Sequence, residues 1–190
     1  PRMTEELNAA ARRIRLLALD VDGVLTDGRI HYSGEGEEMK SFSILDGLGI
    51  KLVRRCGIQV AIITARRSGA VERRARELGI DHCVQGREDK LEALRELLAG
   101  TGLTLAETAY MGDDLPDLRA IMAAGLGMTV ANASSEVACR AAWQSSARGG
   151  DGAVREACEM LLRAREQWAQ ALATYLPGAG ANAGHGGSGI

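Results

Sequence analysis

Short apolar runs alternate with longer amphipathic stretches along this chain, and the alternation restricts the folds available to it. The apolar runs predict strands at Arg15–Val21, Gln59–Thr64, His82–Val84, Thr108–Met111 and Leu126–Val130. The stretches with apolar residues about 3.6 positions apart predict helices at Thr4–Arg13, Gly47–Cys56, Ser68–Leu78, Lys90–Ala99, Leu115–Ala124 and Ala153–Tyr175. Strands and helices in this order form right-handed βαβ units, so we expect an α/β fold with a three-layer, Rossmann-like parallel sheet.

Residues 28–43 interrupt this alternation. They contain two short runs on either side of the turn sequence Ser33 to Gly36, which predicts a β-hairpin that projects from the sheet. Residues 177–190 are too rich in Gly and Ala to bury a core, and we expect them to form a flexible tail. A length of 190 residues fits one domain, which we expect over residues 1–176.

Composition and charge argue against several classes of function. The net charge of −2 provides no electrostatic basis for binding nucleic acid or an anionic membrane. Apolar residues make up 46% of the chain, yet no run approaches the roughly 20 residues that a membrane span requires. The amino terminus lacks the apolar centre of a signal peptide. The cysteines form no C-x-x-C pair and are typical of buried thiols in a reduced, cytoplasmic compartment: Cys56, Cys83, Cys139 and Cys158.

Polar residues follow several of the predicted strands directly. Asp20 and Asp22 end the first strand, and Thr64 ends the second. Lys90 begins a helix, and Asp113 follows the run AYMG. Because the carboxyl ends of parallel strands meet at one edge of a sheet, we expect these side chains to converge there. Carboxylates crowded in this way repel one another unless a cation or a reacting group compensates.

This combination of carboxylates, hydroxyl and ammonium suits phosphoryl transfer through an aspartyl phosphate. Asp20 is the predicted nucleophile. Asp22 points to the same face and would protonate the leaving oxygen, then deprotonate water. Lys90 would neutralise the phosphate and the nucleophile together. The Thr64 hydroxyl and backbone amides near Gly23 would bind phosphate oxygens.

The same edge of the sheet predicts a magnesium site. Mg²⁺ prefers oxygen ligands and commonly takes one or two carboxylates together with water and substrate phosphate. Asp20 and Asp113 can supply the carboxylates, and the backbone carbonyl of Val21 or Asp22 can supply a third oxygen.

The same residues could instead have purely structural roles. Asp113, Asp114 and Asp117 could cap the helix that begins at Leu115, and Asp114 or Asp117 could support Lys90. Thr64 could be an ordinary strand end and Lys90 a solvated helix residue.

Four motifs occur in a fixed order along the chain: D-x-D-G-V-x-T-D-G from Asp20, a strand ending in Thr64, the downstream Lys90, and G-D-D-x-x-D from Gly112. In this order they resemble the motifs of the haloacid dehalogenase superfamily of phosphatases. Further segments are DVDGVLTDG, KSFSILDGLGIK, VAIITARRS, LGIDHCVQG, YMGDDLPDL and GGDGAVREACEMLL. These resemble one family of that superfamily, the 3-deoxy-D-manno-octulosonate 8-phosphate phosphatases, over about residues 12–165.

The resemblance implies an activity and a set of site residues. The activity is Mg²⁺-dependent hydrolysis of 3-deoxy-D-manno-octulosonate 8-phosphate to Kdo and inorganic phosphate, in lipopolysaccharide precursor biosynthesis. The implied catalytic residues are Asp20, Asp22, Thr64 and Lys90, and the implied metal site comprises Asp20, Asp22 and Asp113. Asp114 and Asp117 would support them. The implied contacts of a small phosphorylated sugar-acid substrate are Asp22, Ser43, Ile44, Leu45, Asp46, Gly47, Lys51, Arg66, Arg74 and Lys90.

The resemblance also implies how the site is covered. The intervals from Asp22 to Thr64 and from Thr64 to Lys90 are too short for the cap domain that many superfamily members insert there. The resemblance to this capless type of phosphatase implies a homotetramer in which the hairpins pack together and the sites lie at subunit interfaces. The exposed edges of a hairpin favour such pairing, and the tail after Pro177 could reach a neighbouring site.

Three alternatives remain at this stage. A phosphoacceptor receiver domain also combines aspartates, Thr and Lys on a parallel sheet, but D-x-D supplies an acid/base that receivers lack. A catalytically weak accessory module is a second alternative. The third concerns the substrate, because the sequence does not separate an octulosonate phosphate from a nonulosonic acid 9-phosphate. Arg66 and Arg74 suit a carboxylate in either case, although both could be surface charge.

Overall fold

The computed structural model describes residues 4–36 and 38–177. Its strands are β1 (Leu16–Leu19), β2 (His31–Tyr32), β3 (Glu38–Met39), β4 (Gln59–Thr64), β5 (His82–Gln85), β6 (Thr108–Gly112), β7 (Leu126–Thr129) and β8 (Trp143–Gln144). Its helices are α1 (Glu5–Arg13), α2 (Ile44–Arg55), α3 (Gly69–Leu78), α4 (Lys90–Thr101), α5 (Leu118–Ala123), α6 (Ser135–Ala138), α7 (Ala153–Ala164) and α8 (Trp168–Ala173).

Six strands form one parallel sheet in the order β5-β4-β1-β6-β7-β8. β1 lies between β4 and β6, with Leu19 opposite Ile62 on one side and Met111 on the other. The segments that follow β1, β4 and β6 therefore leave the sheet side by side at its carboxyl edge. This arrangement confirms the α/β, Rossmann-like fold class and brings three of the sequence motifs to one place.

Helices cover both faces of the sheet and complete the three layers. Consecutive residues of β1 and β4 alternate between two hydrophobic cores, because side chains along a strand point to opposite faces. One core contains Leu17, Leu19, Val60 and Ile62 with residues of α1, α2, α3, α7 and α8. The other contains Leu16, Ala18, Ala61 and Ile63 with residues of α4, α5 and α6. These two cores hold the carboxyl ends of β1 and β4 in fixed positions.

The predicted hairpin is present and stands apart from the main sheet. β2 and β3 pair antiparallel, with His31 opposite Met39 and Tyr32 opposite Glu38. The described residues between β1 and β4 form only a tight turn, this hairpin and α2, and those between β4 and β5 form only α3, so no cap domain lies in either interval. Across the described ranges, no helix has both the length and the apolarity to cross a membrane.

The prediction of one helix over Ala153–Tyr175 is wrong. The chain forms α7 and α8, separated at Glu166, whose φ of 60° is left-handed. The Gln167 amide donates to Leu162 O at 2.8 Å and the Glu166 amide to Arg163 O at 3.0 Å, the pairing of a Schellman motif. That motif usually places Gly at the left-handed position, and the sequence carries no such signal here.

Other boundaries differ by smaller amounts. α2 begins at Ile44 rather than Gly47, because Ser43 provides the N-cap. Leu115–Asp117 forms a 3₁₀ turn before α5 instead of the start of one helix. β8 and α6 were not predicted, since elements of two and four residues are too short for periodicity to register. Among the four free cysteines only Cys158 is buried, and Cys83 and Cys139 are exposed, so the expectation of buried thiols is wrong for those two. The predicted tail lies outside the described residues from position 178 onward.

Candidate active site

The candidate site begins with the turn that follows β1. Asp20 continues the sheet by donating its amide to Met111 O at 3.0 Å, and the residue is only 4% exposed. The chain then turns tightly through residues 21–25, where Gly23 has a φ of 101°. A Cβ atom at Gly23 would lie 2.0 Å from Asp113 Oδ2, so any side chain here would displace the Asp113 carboxylate. Gly23 therefore lets the two acidic motifs approach one another.

Lys90 binds two carboxylates at the centre of the site. Its Nζ lies 2.8 Å from Asp20 Oδ1 and 2.7 Å from Asp117 Oδ1, and all three side chains are buried. Lys90 is the first residue of α4, whose N-cap is Asp89. The sheet and α4 thus bring together residues that are far apart in the sequence. Burial alone would lower the pKa of Lys90, but Asp20 and Asp117 raise it, so the ammonium stays charged.

Asp117 is bonded on both of its oxygens. Oδ1 accepts from Lys90 and from the Tyr110 hydroxyl at 2.9 Å, and Oδ2 accepts from the backbone amides of Asp113 at 3.1 Å and Asp114 at 3.3 Å. These bonds fix Lys90 and the loop that carries Asp113. The side chain of Asp114 is not part of this arrangement, because Asp114 is exposed and contributes its amide.

The cluster carries more negative than positive charge. Burial and the neighbouring Asp117 charge raise the pKa of Asp20 to about 7, although Lys90 opposes the shift. Burial and Asp117 likewise raise the pKa of Asp113 to about 7. Three carboxylates share one lysine, so a further cation would stabilise the ionised forms of Asp20 and Asp113.

The donor set of this cluster fits a hard divalent cation. Asp20, Asp113 and Asp117 each present an oxygen atom, and these atoms lie within 4.8 Å of one another. Since Asp117 already accepts four hydrogen bonds, Asp20 and Asp113 are the carboxylates with remaining capacity. Oxygen ligands of this kind are those that Mg²⁺ takes in proteins. The side chain of Asp22 does not belong to this group, which leaves only its backbone carbonyl as a ligand.

Thr64 lies at the same edge of the sheet, at the end of β4. It is two residues beyond Ile62, the partner of Leu19, and its side chain is buried. Its hydroxyl accepts a bond of 3.4 Å from the Arg66 amide. Asp20, Thr64, Lys90 and Asp113 therefore meet at this edge as the sequence predicts.

The Asp22 side chain is held by the hairpin. Lys40, the residue after β3, bonds to Asp22 Oδ1 and lies 3.1 Å from Glu38 Oε1. The other oxygen of Glu38 pairs with the guanidinium of Arg66. Sequence analysis missed Lys40 and Glu38, since it interpreted the hairpin only as an assembly element. The charged run EEMK next to a projecting hairpin was the one available signal.

The residues predicted to contact the sugar acid divide into two groups. Arg74 donates to Ser43 O at 3.2 Å and lies 2.4 Å from where a Cβ of Gly47 would be, so Gly47 makes room for the guanidinium. Ile44 and Leu45 are exposed on the first turn of α2. These residues share one surface with a cavity of about 300 Å³ lined by Lys40, Phe42, Ile44, Ala70, Arg73, Arg74 and Glu77.

Asp46 and Lys51 lie elsewhere. Asp46 is 1% exposed, and its side chain accepts a 2.8 Å hydrogen bond from the amide of Arg155 in the first turn of α7, so it faces the interior. Burial raises the pKa of Asp46, and that amide opposes the shift. Lys51 is exposed about two turns along α2, beside Arg54, Arg55 and Arg76. In the described residues, neither side chain joins the group around Asp20.

The sequence is similar to a known protein family and to phosphatases from several bacteria. Residues 84–156 match the family model of the haloacid dehalogenase-like hydrolases. The chain is 42% identical over 165 residues to the 3-deoxy-D-manno-octulosonate 8-phosphate phosphatase of Yersinia pestis, covering 87% of this chain and 88% of that protein. It is 45% identical over 155 residues to the protein of the same name from Salmonella typhi, covering 82% of each.

Solved structures show the same similarity. The 3-deoxy-D-manno-octulosonate 8-phosphate phosphatase of Moraxella catarrhalis, crystallised with a magnesium ion, a phosphate ion and a KDO molecule, has a TM-score of 0.90 and 45% identity. That match covers 92% of this chain and 100% of the other. The cobalt-bound phosphatase of Haemophilus influenzae has a TM-score of 0.82 and 40% identity, covering 86% and 98%. Similarity at this level extends over nearly the whole length of both relatives.

Proposed function

This chain belongs to the family of 3-deoxy-D-manno-octulosonate 8-phosphate phosphatases, within the haloacid dehalogenase-like hydrolases, and we propose that it hydrolyses 3-deoxy-D-manno-octulosonate 8-phosphate to Kdo and inorganic phosphate. The protein is a phosphoric monoester hydrolase. The observation that carries the proposal is the buried cluster at the carboxyl end of β1, where Lys90 pairs with Asp20 beside Asp113. A receiver domain would share such a cluster, and the similarity to phosphatases over most of the chain favours the enzyme over a receiver domain or an inactive accessory module.

In the proposed reaction, an oxygen of the Asp20 carboxylate attacks phosphorus and the ester P–O bond breaks, leaving an aspartyl phosphate. Asp22 gives its proton to the leaving sugar oxygen. Asp22 then takes a proton from water as the water oxygen attacks phosphorus, and the bond between phosphorus and Asp20 breaks to release inorganic phosphate. Asp22 suits this role because its side chain is partly exposed, whereas Asp20 is buried against Lys90.

Mg²⁺ would be held by Asp20, Asp113 and the backbone carbonyl of Asp22, and it would supply positive charge against the repulsion between carboxylate and phosphate. Lys90 adds a fixed positive charge on the Asp20 oxygen, since Asp117 anchors its ammonium from the other side. The Thr64 hydroxyl and the amides around Gly23 would donate to the phosphate oxygens. These groups are fixed before substrate arrives, which avoids the cost of ordering them during the reaction.

We assign the recognition of the sugar acid to Arg66 and Arg74, with Ser43, Ile44, Leu45 and Gly47 at the start of α2. Support comes from the position of Arg66 next to Thr64 and from the contact of Arg74 with Ser43 O. A guanidinium binds a carboxylate with two parallel hydrogen bonds, which suits a 2-ulosonic acid. Asp46 and Lys51 gain no comparable support, because Asp46 is buried against α7 and Lys51 lies about two helical turns beyond the start of α2.

We also propose that the protein assembles as a homotetramer with sites at subunit interfaces, in the cytoplasm. Several large apolar side chains are exposed on the hairpin and on the first turn of α2: Ile30, Tyr32, Met39, Ile44 and Leu45. A cluster of this kind on the surface of one subunit favours contact with another. The same surface adjoins Arg66 and Arg74, so an assembled neighbour would cover an otherwise open substrate site.

A turnover screen tests the proposed substrate. Phosphate release would be measured with Mg²⁺ on 3-deoxy-D-manno-octulosonate 8-phosphate, a nonulosonic acid 9-phosphate and simple sugar phosphates, with Asp20→Asn as the inactive control. We expect kcat/KM to be highest for the octulosonate ester. A higher kcat/KM for the nonulosonic acid 9-phosphate would make that ester the substrate and would leave the proposed phosphatase reaction unchanged. No phosphate release from any ester would contradict the proposed activity.

A further inference from the structure

Four charged side chains of alternating sign form a chain between the turn after β1 and the loop after β4. In order they are Asp22, Lys40, Glu38 and Arg66. The two outer members have proposed roles in acid/base chemistry and in substrate binding. The two inner members belong to the hairpin and have no role in the reaction described above.

Lys40 is buried to a degree that is unusual for a lysine outside a core. Its side chain is 2% exposed, against 24% for Asp22 and 20% for Glu38. An exposed ion pair contributes little and leaves both side chains free to move. A buried ammonium between two carboxylates is different, because loss of either partner leaves a charge without compensation. The pair between Lys40 and Asp22 is therefore a fixed contact.

The contact is made to one oxygen of Asp22. Lys40 bonds to Oδ1, and in residues 4–36 and 38–177 no hydrogen bond is made to Oδ2. A carboxylate held by one oxygen cannot rotate freely and presents its second oxygen in one direction. Proton transfer to a leaving group requires this kind of restraint, since the donor oxygen must lie within hydrogen-bond reach of the departing oxygen.

Glu38 connects this restraint to the substrate side of the site. Its Oε1 faces Lys40 and its Oε2 pairs with Arg66. Glu38 therefore fixes Lys40 against Asp22 and orients Arg66 at the same time. Glu38 belongs to β3, and Lys40 follows it two residues later, so the two contacts come from one short segment of the hairpin.

We propose that Lys40 is a positioning residue that orients Asp22 for proton transfer to the leaving group, and that Glu38 ties Lys40 to Arg66. The hairpin then does more than cover the site. It holds the acid/base and the substrate arginine in a fixed relation within one subunit. This inference rests on the acid/base role proposed for Asp22, but it does not depend on which sugar acid is the substrate.

Two esters with different leaving groups test the proposal. A sugar alkoxide needs a proton as it leaves, whereas p-nitrophenolate is a stable anion and leaves without one. Lys40→Met keeps most of the length of the side chain and removes the charge. We expect kcat/KM to fall by about 10-fold or more with the sugar-acid phosphate and by less than about 3-fold with p-nitrophenyl phosphate. The quantity compared is kcat/KM because it reports the formation of the aspartyl phosphate, whereas the later attack of water needs Asp22 with both esters.

Three variants make the result specific. Lys40→Arg keeps the positive charge and should retain most of the activity with the sugar ester. In an Asp22→Asn background, Lys40→Met should lower kcat no further, because both changes act on the same proton transfer. Arg54→Met removes a partly buried ion pair with Asp81, far from the reaction, and should lower thermal stability without changing the ratio of kcat/KM between the two esters.

With Lys40→Met, equal losses of kcat/KM with both esters, or no loss with either, would overturn the positioning role. If Lys40→Met does not fold, Lys40→Gln takes its place, since it also removes the charge, and the same comparison of kcat/KM losses decides the matter. The comparison requires one alkyl and one aryl ester that the wild-type protein hydrolyses. A wild type that hydrolyses other alkyl phosphates but not the sugar-acid phosphate contradicts the proposed substrate and still allows the comparison.

Discussion

Asp117 differs from the other aspartates of the site in how completely its oxygens are bonded. It accepts from Lys90, Tyr110 and two backbone amides, whereas Asp20 and Asp113 retain capacity for a cation. The three carboxylates thus have different roles although they lie within one cluster. Asp117 holds the lysine and the loop, and burial together with the charge of Asp117 raises the pKa of Asp20 and Asp113.

The stability of the metal-free protein should depend on pH through Asp20 and Asp113. Each has a pKa raised to about 7 from an ordinary value near 3.8. A raised folded-state pKa means that the folded protein binds these protons more tightly than the unfolded chain does. The stabilisation is complete at low pH and is lost as the pH rises through about 7. Mg²⁺ binds the ionised carboxylates and should restore stability mainly at high pH.

Thermal unfolding in EDTA and in excess Mg²⁺ measures this effect. We expect Mg²⁺ to raise Tm by ~5 °C or more near pH 8 and by much less near pH 5.5. Asp113→Asn should remove most of the increase near pH 8, because one of the two available carboxylates is gone. An equal increase at both pH values would contradict a site whose carboxylates exchange protons for the metal.

Arg66 and Arg74 should matter for a sugar-acid phosphate and not for a small aryl ester. A charge-assisted hydrogen bond is worth about 1.5–3 kcal/mol, so Arg66→Ala or Arg74→Ala should raise KM for the sugar acid by ~10-fold or more. The KM for p-nitrophenyl phosphate should change little, because that ester has no carboxylate. Arg76→Ala is the matched control, since Arg76 is exposed on the same helix as Arg74 and pairs with Glu72. A similar KM change for both esters would indicate a structural role.

At single positions, the sequence predicts residues that lie directly after strands and misses those whose contacts depend on the path of a hairpin. Asp20 and Asp113 follow β1 and β6, and Thr64 ends β4, so strand order alone brings them together. Lys40 reaches Asp22 only because β2 and β3 fold back over the turn. The inward position of Asp46 depends on its contact with α7. That helix begins more than 100 residues further along the chain, and no local sequence pattern connects it to α2.

At the scale of elements, β1 and the hairpin differ in their exposure to solvent. All four residues of β1 are buried between β4 and β6, whereas β2 has both residues exposed. Tyr32 and Met39 are more than half exposed and lie next to the chain of charges that holds Asp22. A test of assembly should therefore change the apolar surface of the hairpin and keep Glu38 and Lys40, since deletion of the hairpin would remove both.

Ile30→Ser with Met39→Ser should dissociate the proposed tetramer. Both side chains are exposed apolar groups on the hairpin, so their loss should weaken contacts between subunits and leave the fold of one subunit intact. Sedimentation analysis should show a smaller species, and KM for the sugar-acid phosphate should rise as the site opens to water. Met122→Ser, at another exposed apolar residue, is the control and should not change the sedimentation. An unchanged assembly with full activity would contradict the interface.

The main-sheet strands β1, β4, β5, β6 and β7 follow from apolar runs in the sequence, whereas β8, α6 and the separate helix α8 do not. β4 has the predicted bounds, Gln59–Thr64, because its apolar run is continuous and bounded by polar residues. The break between α7 and α8 was missed because Glu166 adopts a left-handed conformation that its residue type rarely takes. Tertiary contacts support that break, since Arg165 donates to Ile14 O at 2.7 Å and Gln167 to Cys56 O at 3.4 Å.

At the scale of the whole molecule, the parallel sheet explains why distant motifs form one site. β1 is central in the order β5-β4-β1-β6-β7-β8, and its neighbours bring Thr64 and Asp113 to either side of Asp20. The helices contribute Lys90 from one face of the sheet and Arg74 from the other, since α4 and α3 belong to different cores. The hairpin then adds Lys40 from outside the sheet. Fold and family agree on a phosphatase, and Asp20 is the residue on which the proposed reaction depends.

The most direct measurement of that reaction traps the phosphorylated residue. The protein would be mixed with 3-deoxy-D-manno-octulosonate 8-phosphate and Mg²⁺, quenched during turnover and reduced with borohydride, which converts an aspartyl phosphate to homoserine. Asp22→Asn, which should slow the attack of water on the intermediate, provides a parallel sample. Peptide mapping should find homoserine at position 20 and at no other aspartate. Homoserine at another aspartate, or Asp20→Asn protein that keeps wild-type turnover, would contradict the account.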